Sequence, residues 1–338
     1  MATAAAKRSR RRHVQLAALC AAVALGVLLA FGLSDSIQRL SWDVNDRLVR
    51  MQPTHDLSDF VFVAIDDQSM KMDHLWPEDI EDSPALLSMQ NGWPWPRSVY
   101  AAAAERLVAA GARTVVIDLI LDAERPGDAE LRASLDRHSD KIVLGSNLSA
   151  DPTQAGRPTT AANRVPAASL IEDGDQDPRV GFVNFWPGTG GVVRSIFYRT
   201  RRGVDHADAR IYHSITARAL EQIGLADEIP SDESTHYFLF GNQETLPVVP
   251  FYSLFVEHDW ETFCANGEIF DGKVIVIGPS AAILQDFHLT PLGNIPGPLL
   301  HLNAMAATIE DAFYFPIDWK VTLLLVILSA AAAFLITW

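Results

Sequence analysis

The sequence FVFVAIDD at residues 60–67 and the sequence TVVID at residues 114–118 decide the fold of this chain. Each begins with an unbroken apolar run and ends in aspartate. Such a run, in contrast to one that alternates with polar residues, is typical of a strand covered on both faces of a parallel sheet. Between them lie WPWPR at residues 93–97 and apolar residues at helical spacing up to Gly111. Strand, helix and strand at this spacing predict a right-handed crossover unit.

The rest of the pattern extends this unit into a single α/β domain. Further buried strands are predicted at residues 141–146, 236–240 and 273–278, and further helices at residues 128–138, 207–223 and 299–311. The runs 180–185 and 192–199 flank the sequence PGTGG, which predicts a β-hairpin. We therefore expect an α/β fold, with a mostly parallel sheet, helices on both faces, a β-hairpin insertion and two flanking transmembrane helices.

Two further segments have a distinctive composition. Residues 34–51 place apolar side chains at helical spacing, which predicts a helix that continues from the membrane or packs under the sheet. A dimer contact through this helix is a hypothesis. Residues 71–91 are polar and acidic without periodicity, and they predict a surface loop of unusual length.

The charge distribution excludes one class of partner. The 338-residue chain has a formal net charge of −15, and its five basic residues before the first apolar run leave −20 on the remainder. Nucleic acid requires a basic surface, so we expect no nucleic-acid partner.

Two apolar segments predict a membrane protein. Residues 14–33 carry no charge and are long enough to cross a bilayer, whereas a cleavable signal peptide has a shorter core and a small-residue cleavage site. The basic residues 1–13 should then stay in the cytoplasm. We expect residues 34–319 to form an extracytoplasmic domain and residues 320–338 to form a second transmembrane helix.

Cysteine usage excludes an internal disulfide in the predicted domain. Only Cys20 and Cys264 are present, and Cys20 lies in the first apolar segment. We expect Cys264 to be buried and unreactive.

The common catalytic signatures are missing, and the polar residues at the strand ends remain as the candidate site. The candidate ligand-binding residues are Asp66, Ser69, Arg97, Asp118, Ser280, Asp286 and His288. The carboxyl ends of parallel strands meet at one edge of the sheet, where ligands bind. Arg97 near carboxylates is either a structural ion pair or a group that holds an anionic ligand.

A metal site is the alternative for the same residues. Asp66, Asp118 and Asp286 could hold a hard cation, although their spacing is not diagnostic. For His301 and Asn303 we expect solvation or helix capping in preference to metal binding. We therefore expect no catalytic residue, no metal and no cofactor.

Several of these stretches resemble the type-two CHASE domain, the cyclase- and histidine-kinase-associated sensory extracellular domain of bacterial receptors. They are FVFVAIDDQS at residues 60–69, WPWPR at residues 93–97, AGARTVVIDL at residues 110–119, GVVR at residues 191–194 and DGKVIVIGPSAAILQDFHLTPL at residues 271–292. The residues that match the family's motif are Asp66, Ser69, Trp93, Trp95, Arg97, Asp118, Gly278, Asp286, Thr290 and Pro291.

The resemblance implies a sensor in the bacterial inner membrane with its main domain in the periplasm. Its partners would be the lipid membrane, a small-molecule or protein signal, a second copy in a homodimer, and a cyclase or kinase output domain or protein. This sequence departs from the family in two ways. Residues 71–91 lengthen the usually short stretch between Ser69 and the WPWPR motif, and the sequence ends after the second apolar segment without an output domain.

Two alternatives to a small-molecule sensor follow from the same residues. One is a membrane-anchored periplasmic hydrolase that uses Asp66, Asp118 and His288; turnover of phosphate or acyl esters would identify it. The other is a protein-interaction module, which co-purification from membranes would identify.

Overall fold

The computed structural model describes residues 34–52, 55–149, 163–174, 176–202 and 210–316, with isolated residues from 318 to 332. Residues Gln52–Tyr314 form one compact unit, and the helix Ser34–Met51 with the described residues after Tyr314 belongs to another. None of the helices in these described ranges has the length and apolar character that a bilayer crossing requires. The predicted membrane segment 14–33 lies outside the described residues, as does most of 320–338.

Helices and strands alternate through most of the chain. The strands, numbered β1 to β13, are Phe60–Ile65, Thr114–Ile120, Ile142–Ser146, Val180–Phe182, Ser195–Ile196, Arg199–Arg202, Arg210–His213, His236–Phe238, Val248–Pro250, Val274–Pro279, Phe287–Thr290, Gly293–Pro296 and Phe313–Tyr314. The α-helices, numbered α1 to α9, are Ser34–Met51, Asp67–Lys71, Pro77–Glu81, Pro84–Met89, Arg97–Ala109, Asp128–Arg137, Ile215–Gln222, Glu257–Thr262 and Gly297–Ile309. Short 3₁₀ turns occur at Thr189–Gly191, Ala226–Glu228, Gln243–Thr245, Phe251–Leu254, Ala265–Phe270 and Ala282–Leu284.

The main sheet has six parallel strands in the spatial order β4–β3–β2–β10–β1–β9. The predicted α/β class and its parallel sheet are confirmed. The two strands of the crossover unit are not neighbours, because β10 lies between them. Phe60 of β1 pairs with Val274 of β10, and Val274 pairs in turn with Thr114 of β2.

Helices cover both faces of this sheet, as predicted. On one face, Val115 and Ile117 of β2 belong to the same hydrophobic core as Val99 and Leu107 of α5. Successive side chains of a strand point to opposite faces, so Thr114 faces the other way. There its hydroxyl donates to the side-chain oxygen of Gln222 in α7 at 2.8 Å. Helices α7 and α9 cover this second face.

The hairpin predicted across residues 180–199 is wrong. Strand β4 joins the main sheet parallel to β3, whereas β5 pairs with β8 in a separate antiparallel sheet that also contains β13. A side chain at Gly181 would lie 2.5 Å from the backbone of Ile215, so the glycine allows β4 to pack closely under α7. Hairpins form instead between β6 and β7 and between β11 and β12.

The loop predicted at residues 71–91 is also wrong, because α3 and α4 lie in this segment. Proline begins each helix, and the Ser83 side chain accepts a hydrogen bond from the Leu86 amide at the start of α4. Proline is well suited to the first turn, where its missing N–H costs no hydrogen bond. Helices of five or six residues are too short to show periodicity, yet they bury Ile80, Leu86 and Met89.

The prediction that Cys264 is buried is confirmed. Cys264 is fully buried in the main hydrophobic core. Burial raises the pKa of its thiol to about 11, so the reactive thiolate is scarce at neutral pH.

Candidate functional site

Asp118 lies at an irregularity in the sheet. Strand β2 continues to Ile120, so Asp118 is inside the strand and not after it as the sequence suggested. Ile117 pairs with Leu144 of β3, but the next paired residue is Ile120, which faces Gly145, so the register shifts across Asp118 and Leu119. Such irregularities re-direct side chains and are common beside functional sites.

The Asp118 side chain faces the N-terminal end of α9. A side chain at Gly278 would lie 3.3 Å from the Asp118 Cβ and 2.3 Å from Pro298, so the glycine allows α9 to approach β10 closely. The Asp118 side chain is only 6% exposed. His301 of α9 approaches it, with 4.0 Å between Asp118 Oδ2 and His301 Nε2.

His301 is buried, with 1% of its surface exposed, and both ring nitrogens have partners. Nε2 lies 3.2 Å from the Val183 carbonyl, and Nδ1 lies 3.0 Å from the Thr216 hydroxyl. A carbonyl only accepts, so we assign the proton to Nε2 and the acceptor role to Nδ1. Burial, the largest influence, lowers the pKa of His301 to about 3, and the imidazole is therefore neutral at physiological pH.

Asp286 and His288 extend this group toward solvent. Asp286 Oδ1 lies 3.3 Å from His288 Nε2, and the two side chains are 33% and 28% exposed. A side chain at Gly297, the first residue of α9, would lie 2.5 Å from Asp286 Oδ2. The Asp286 carboxylate is therefore close to the positive end of the α9 dipole, which stabilises a negative charge.

We call Asp118, Asp286, His288 and His301 the acid–histidine cluster. Burial raises the pKa of Asp118 well above its ordinary value, and the nearby Asp286 carboxylate adds to the effect. Within the described part of the chain, no lysine or arginine forms an ion pair with either aspartate. Asp118 also makes no side-chain hydrogen bond there. Its 4.0 Å approach to neutral His301 is therefore a contact and not an ion pair.

Asp66 and Ser69 have a structural role at the start of α2. The Asp66 carboxylate accepts hydrogen bonds from the Ser69 amide and hydroxyl, both at 2.7 Å, and so caps the helix. The Ser69 hydroxyl oxygen also accepts from the Tyr252 amide at 3.3 Å. Among the described residues, no hydrogen bond or ion pair connects Asp66 to Asp118 or to Asp286.

Arg97 forms a buried pair away from the acid–histidine cluster. Its Nε lies 3.7 Å from Asp128 Oδ1, and its Nη2 donates to the Ala123 carbonyl at 3.3 Å. The Arg97 amide donates to the Pro126 carbonyl at 2.7 Å, so both ends of the residue fix the loop between β2 and α6. These contacts support the structural reading of this arginine.

Ser280 continues the sheet through its backbone, because its amide donates to the Ile65 carbonyl at 3.0 Å. The structure thus brings together three of the residues predicted from sequence, Asp118, Asp286 and His288. Among the described residues, no hydrogen bond or ion pair connects Asp66 with Asp118 or His288, the other two residues of the hydrolase alternative. No group of three or more histidine, cysteine, aspartate or glutamate residues suited to a metal ion occurs in the described ranges.

Sequence reasoning missed His301, and the expectation of solvation or capping is wrong for it and for Asn303. Asn303 is buried, and its side-chain oxygen accepts hydrogen bonds from the Gly241 amide and the Gln243 side chain. The signal was present in the sequence, because GPLLHLNAMAATI is apolar on all sides. A helix of that kind is buried, and a histidine within it is buried as well.

Comparison with known proteins identifies a family. Residues 20–336 match the CHASE2 domain, which is nearly the whole chain. No curated protein and no solved structure gives a significant match. The segments that suggested this family include β1, β2 and β10, the three central strands, and they also include Asp118, Asp286 and His288 of the acid–histidine cluster. The chain therefore belongs to the CHASE2 family of extracellular sensory domains.

Proposed function

We propose that residues 52–314 receive a small extracytoplasmic signal at the acid–histidine cluster, and that the chain transmits it across the membrane. The observation that carries this proposal is Asp118, a buried carboxyl group without a hydrogen-bond donor at an irregularity of the central sheet. Largely buried polar groups normally have partners, and a partner that arrives from outside would supply the donor that the described residues do not. Asp286 and His288 are partly exposed and provide a route from solvent.

Helix α9 is the element through which the signal would leave the site. Its first residue lies beside Asp286, and His301 is in its second turn. Its last residue, Ile309, precedes β13, where Phe313 pairs with Phe238 of β8. The chain then leaves the unit after Tyr314. A ligand shifts such a helix only by favouring one arrangement of it over another.

The remainder of the proposal concerns the cell. Residues 14–33 and 320–338 cross the inner membrane, the domain between them is periplasmic, and a homodimer passes the signal to a cyclase or kinase in a further domain or partner. The hydrophobicity of these two segments supports the crossings, and the family supports the sensory role.

Thiol labelling tests directly on which side of the membrane the domain lies, because buried Cys264 should not react with the reagent. A Cys20→Ser variant carries a new thiol at exposed Asp227 (Asp227→Cys) and is treated in cells with a membrane-impermeant maleimide. We expect this double variant to be labelled in intact cells. The Cys20→Ser single variant, whose one thiol is the buried Cys264, should stay unlabelled. Labelling that requires lysis contradicts the periplasmic placement.

The signal site has a separate test. The full chain in detergent is screened by thermal unfolding against amino acids, amines, carboxylic acids and sugars, in parallel with Asp118→Asn. We expect any compound that raises Tm of the parent to lose its effect on the variant. Asp232→Asn is the matched control, because Asp232 forms an exposed pair with His236 outside the cluster. Stabilisers that act equally on Asp118→Asn place the site elsewhere.

A further inference from the structure

The carboxyl groups of the acid–histidine cluster lack a lysine or arginine neighbour among the described residues. Two carboxyl groups, Asp118 and Asp286, are close enough that one raises the pKa of the other. An arginine or lysine partner usually accompanies buried carboxylates, but none pairs with these two among the described residues. Asp128, by contrast, has Arg97 beside it.

The histidines do not supply the missing positive charge to Asp118. His301 is neutral, and its Nε2–H donates to the Val183 carbonyl. His288 lies against Asp286 and not against Asp118. The described residues therefore give Asp118 no positively charged partner, and a cation from solution could take that place once the carboxyl loses its proton.

We propose that the acid–histidine cluster binds a small organic ammonium ion, whose N–H groups donate to the carboxylates of Asp118 and Asp286. This inference rests on the proposed signal site and names its ligand class. Phe185 packs beside the cluster, with its ring centroid 4.5 Å from that of His301 and 6.0 Å from that of His288. An aromatic ring attracts a cation that lies over its face.

Binding has a defined proton balance. Burial raises the pKa of the Asp118 carboxyl. At a pH below that raised pKa, a ligand that arrives as an ammonium ion requires the carboxyl proton to leave for solvent, so binding releases up to about one proton per ligand. A proton and the ammonium ion compete for Asp118, and the affinity should fall as the pH falls.

Other ligand classes fit the cluster less well. An anion would face two carboxyl groups without a described arginine or lysine beside them. A metal ion needs several ligands in one coordination sphere, and no such group occurs within the described residues. An ammonium ion needs only hydrogen-bond acceptors, and carboxylate oxygens are strong acceptors for a charged N–H donor.

The test measures Tm of the full chain in detergent at constant chloride, with ethylammonium and putrescine as probes. Tetramethylammonium, which has no N–H group, is the matched control compound, and sodium acetate, Mg²⁺ and Zn²⁺ represent the other classes. We expect at least one primary amine to raise Tm by about 5 °C at a hundredfold excess over Kd. The rise in Tm should vanish in Asp118→Asn and remain in Asp232→Asn. Below the pKa of Asp118, the affinity for the amine should fall about tenfold for each unit by which the pH is lowered.

Each remaining outcome overturns the inference. Equal shifts with tetramethylammonium, or an amine effect that survives Asp118→Asn, exclude N–H donation to this carboxylate. A shift with acetate or with a metal ion, but not with the amines, assigns the site to another ligand class and leaves the proposed signal site intact. No shift with any amine excludes the ammonium ligand, while the wider screen continues to test the signal site.

Discussion

Asp118 and Asp128 are both buried carboxyl groups near the carboxyl end of β2, yet their surroundings differ. Asp128 accepts hydrogen bonds from the Arg125 amide and the Ser169 hydroxyl and lies beside the Arg97 guanidinium. Asp118 has no such donor among the described residues, and its charged neighbour is a second carboxylate. Burial alone therefore does not distinguish a structural carboxylate from a binding one. The supply of donors separates Asp128 from Asp118, the residue proposed to bind, and three substitutions test this difference.

The largest effect is expected when the structural pair is broken. Asp128→Asn removes the negative charge beside buried Arg97 and leaves that guanidinium without compensation. We expect a loss of about 3 kcal/mol in the free energy of unfolding, measured by urea denaturation at pH 7. The exposed pair of Arg132 and Glu172 provides the control, and Glu172→Gln should cost less than about 1 kcal/mol. Equal losses at both sites contradict a structural role for the Arg97–Asp128 pair.

A smaller effect of opposite sign is expected at Asp118. Because the folded-state pKa of this carboxyl is raised, its contribution to stability is present at acid pH and is lost as the pH rises through the folded value. Asp118→Asn cannot ionise and should avoid this loss. At pH 9 we expect the free energy of unfolding of the variant to exceed that of the parent by about 1.4 kcal/mol for each unit by which folding raises the pKa of Asp118. Near pH 4 the two values should be equal.

Unfolding curves at several pH values measure this difference. Asp232→Asn is again the control, because hydrogen bonds from Ser234 lower the pKa of Asp232 to about 2, the opposite direction. A parent chain whose stability does not decline toward alkaline pH relative to Asp118→Asn contradicts a raised pKa for Asp118.

The smallest effect is expected at the cap of α2. Asp66→Ala removes the acceptor for the Ser69 amide and hydroxyl, and it should cost about 1 kcal/mol. We expect no change in the response to any ligand of the acid–histidine cluster, because no described contact connects Asp66 to it. Thermal unfolding with and without the ligand measures both quantities, and a lost response would place Asp66 in the binding site.

The central strands and helix were predicted well because the signals for them, an unbroken apolar run and the residues that end it, lie within a few consecutive residues. Phe60–Ile65, Arg97–Ala109 and Val274–Pro279 agree closely with the predicted segments. Pairing is not local, and this is why the hairpin at residues 180–199 was wrong. Alternating residues and a glycine-rich turn are compatible with a hairpin, but β4 finds a parallel partner in β3 and β5 an antiparallel one in β8.

The candidate site was predictable only in part. Polar residues after apolar strands directed attention to Asp118, Asp286 and His288, which do meet. The same rule selected Asp66 and Ser69, and Arg97 was added as the first residue of the crossover helix. Their partners Tyr252 and Asp128 are recognisable only in three dimensions. His301 was overlooked because a lone histidine was read without the apolar helix around it.

The position of β10 also affects how the protein is made. Lys273, at the start of this strand, contacts Asp59, 214 residues earlier in the chain. Until β10 leaves the ribosome, β1 and β2 have no native neighbour on their facing edges, and unpaired apolar edges favour aggregation. Folding of the domain should therefore be slow, and it can be completed only after β10 has been synthesised.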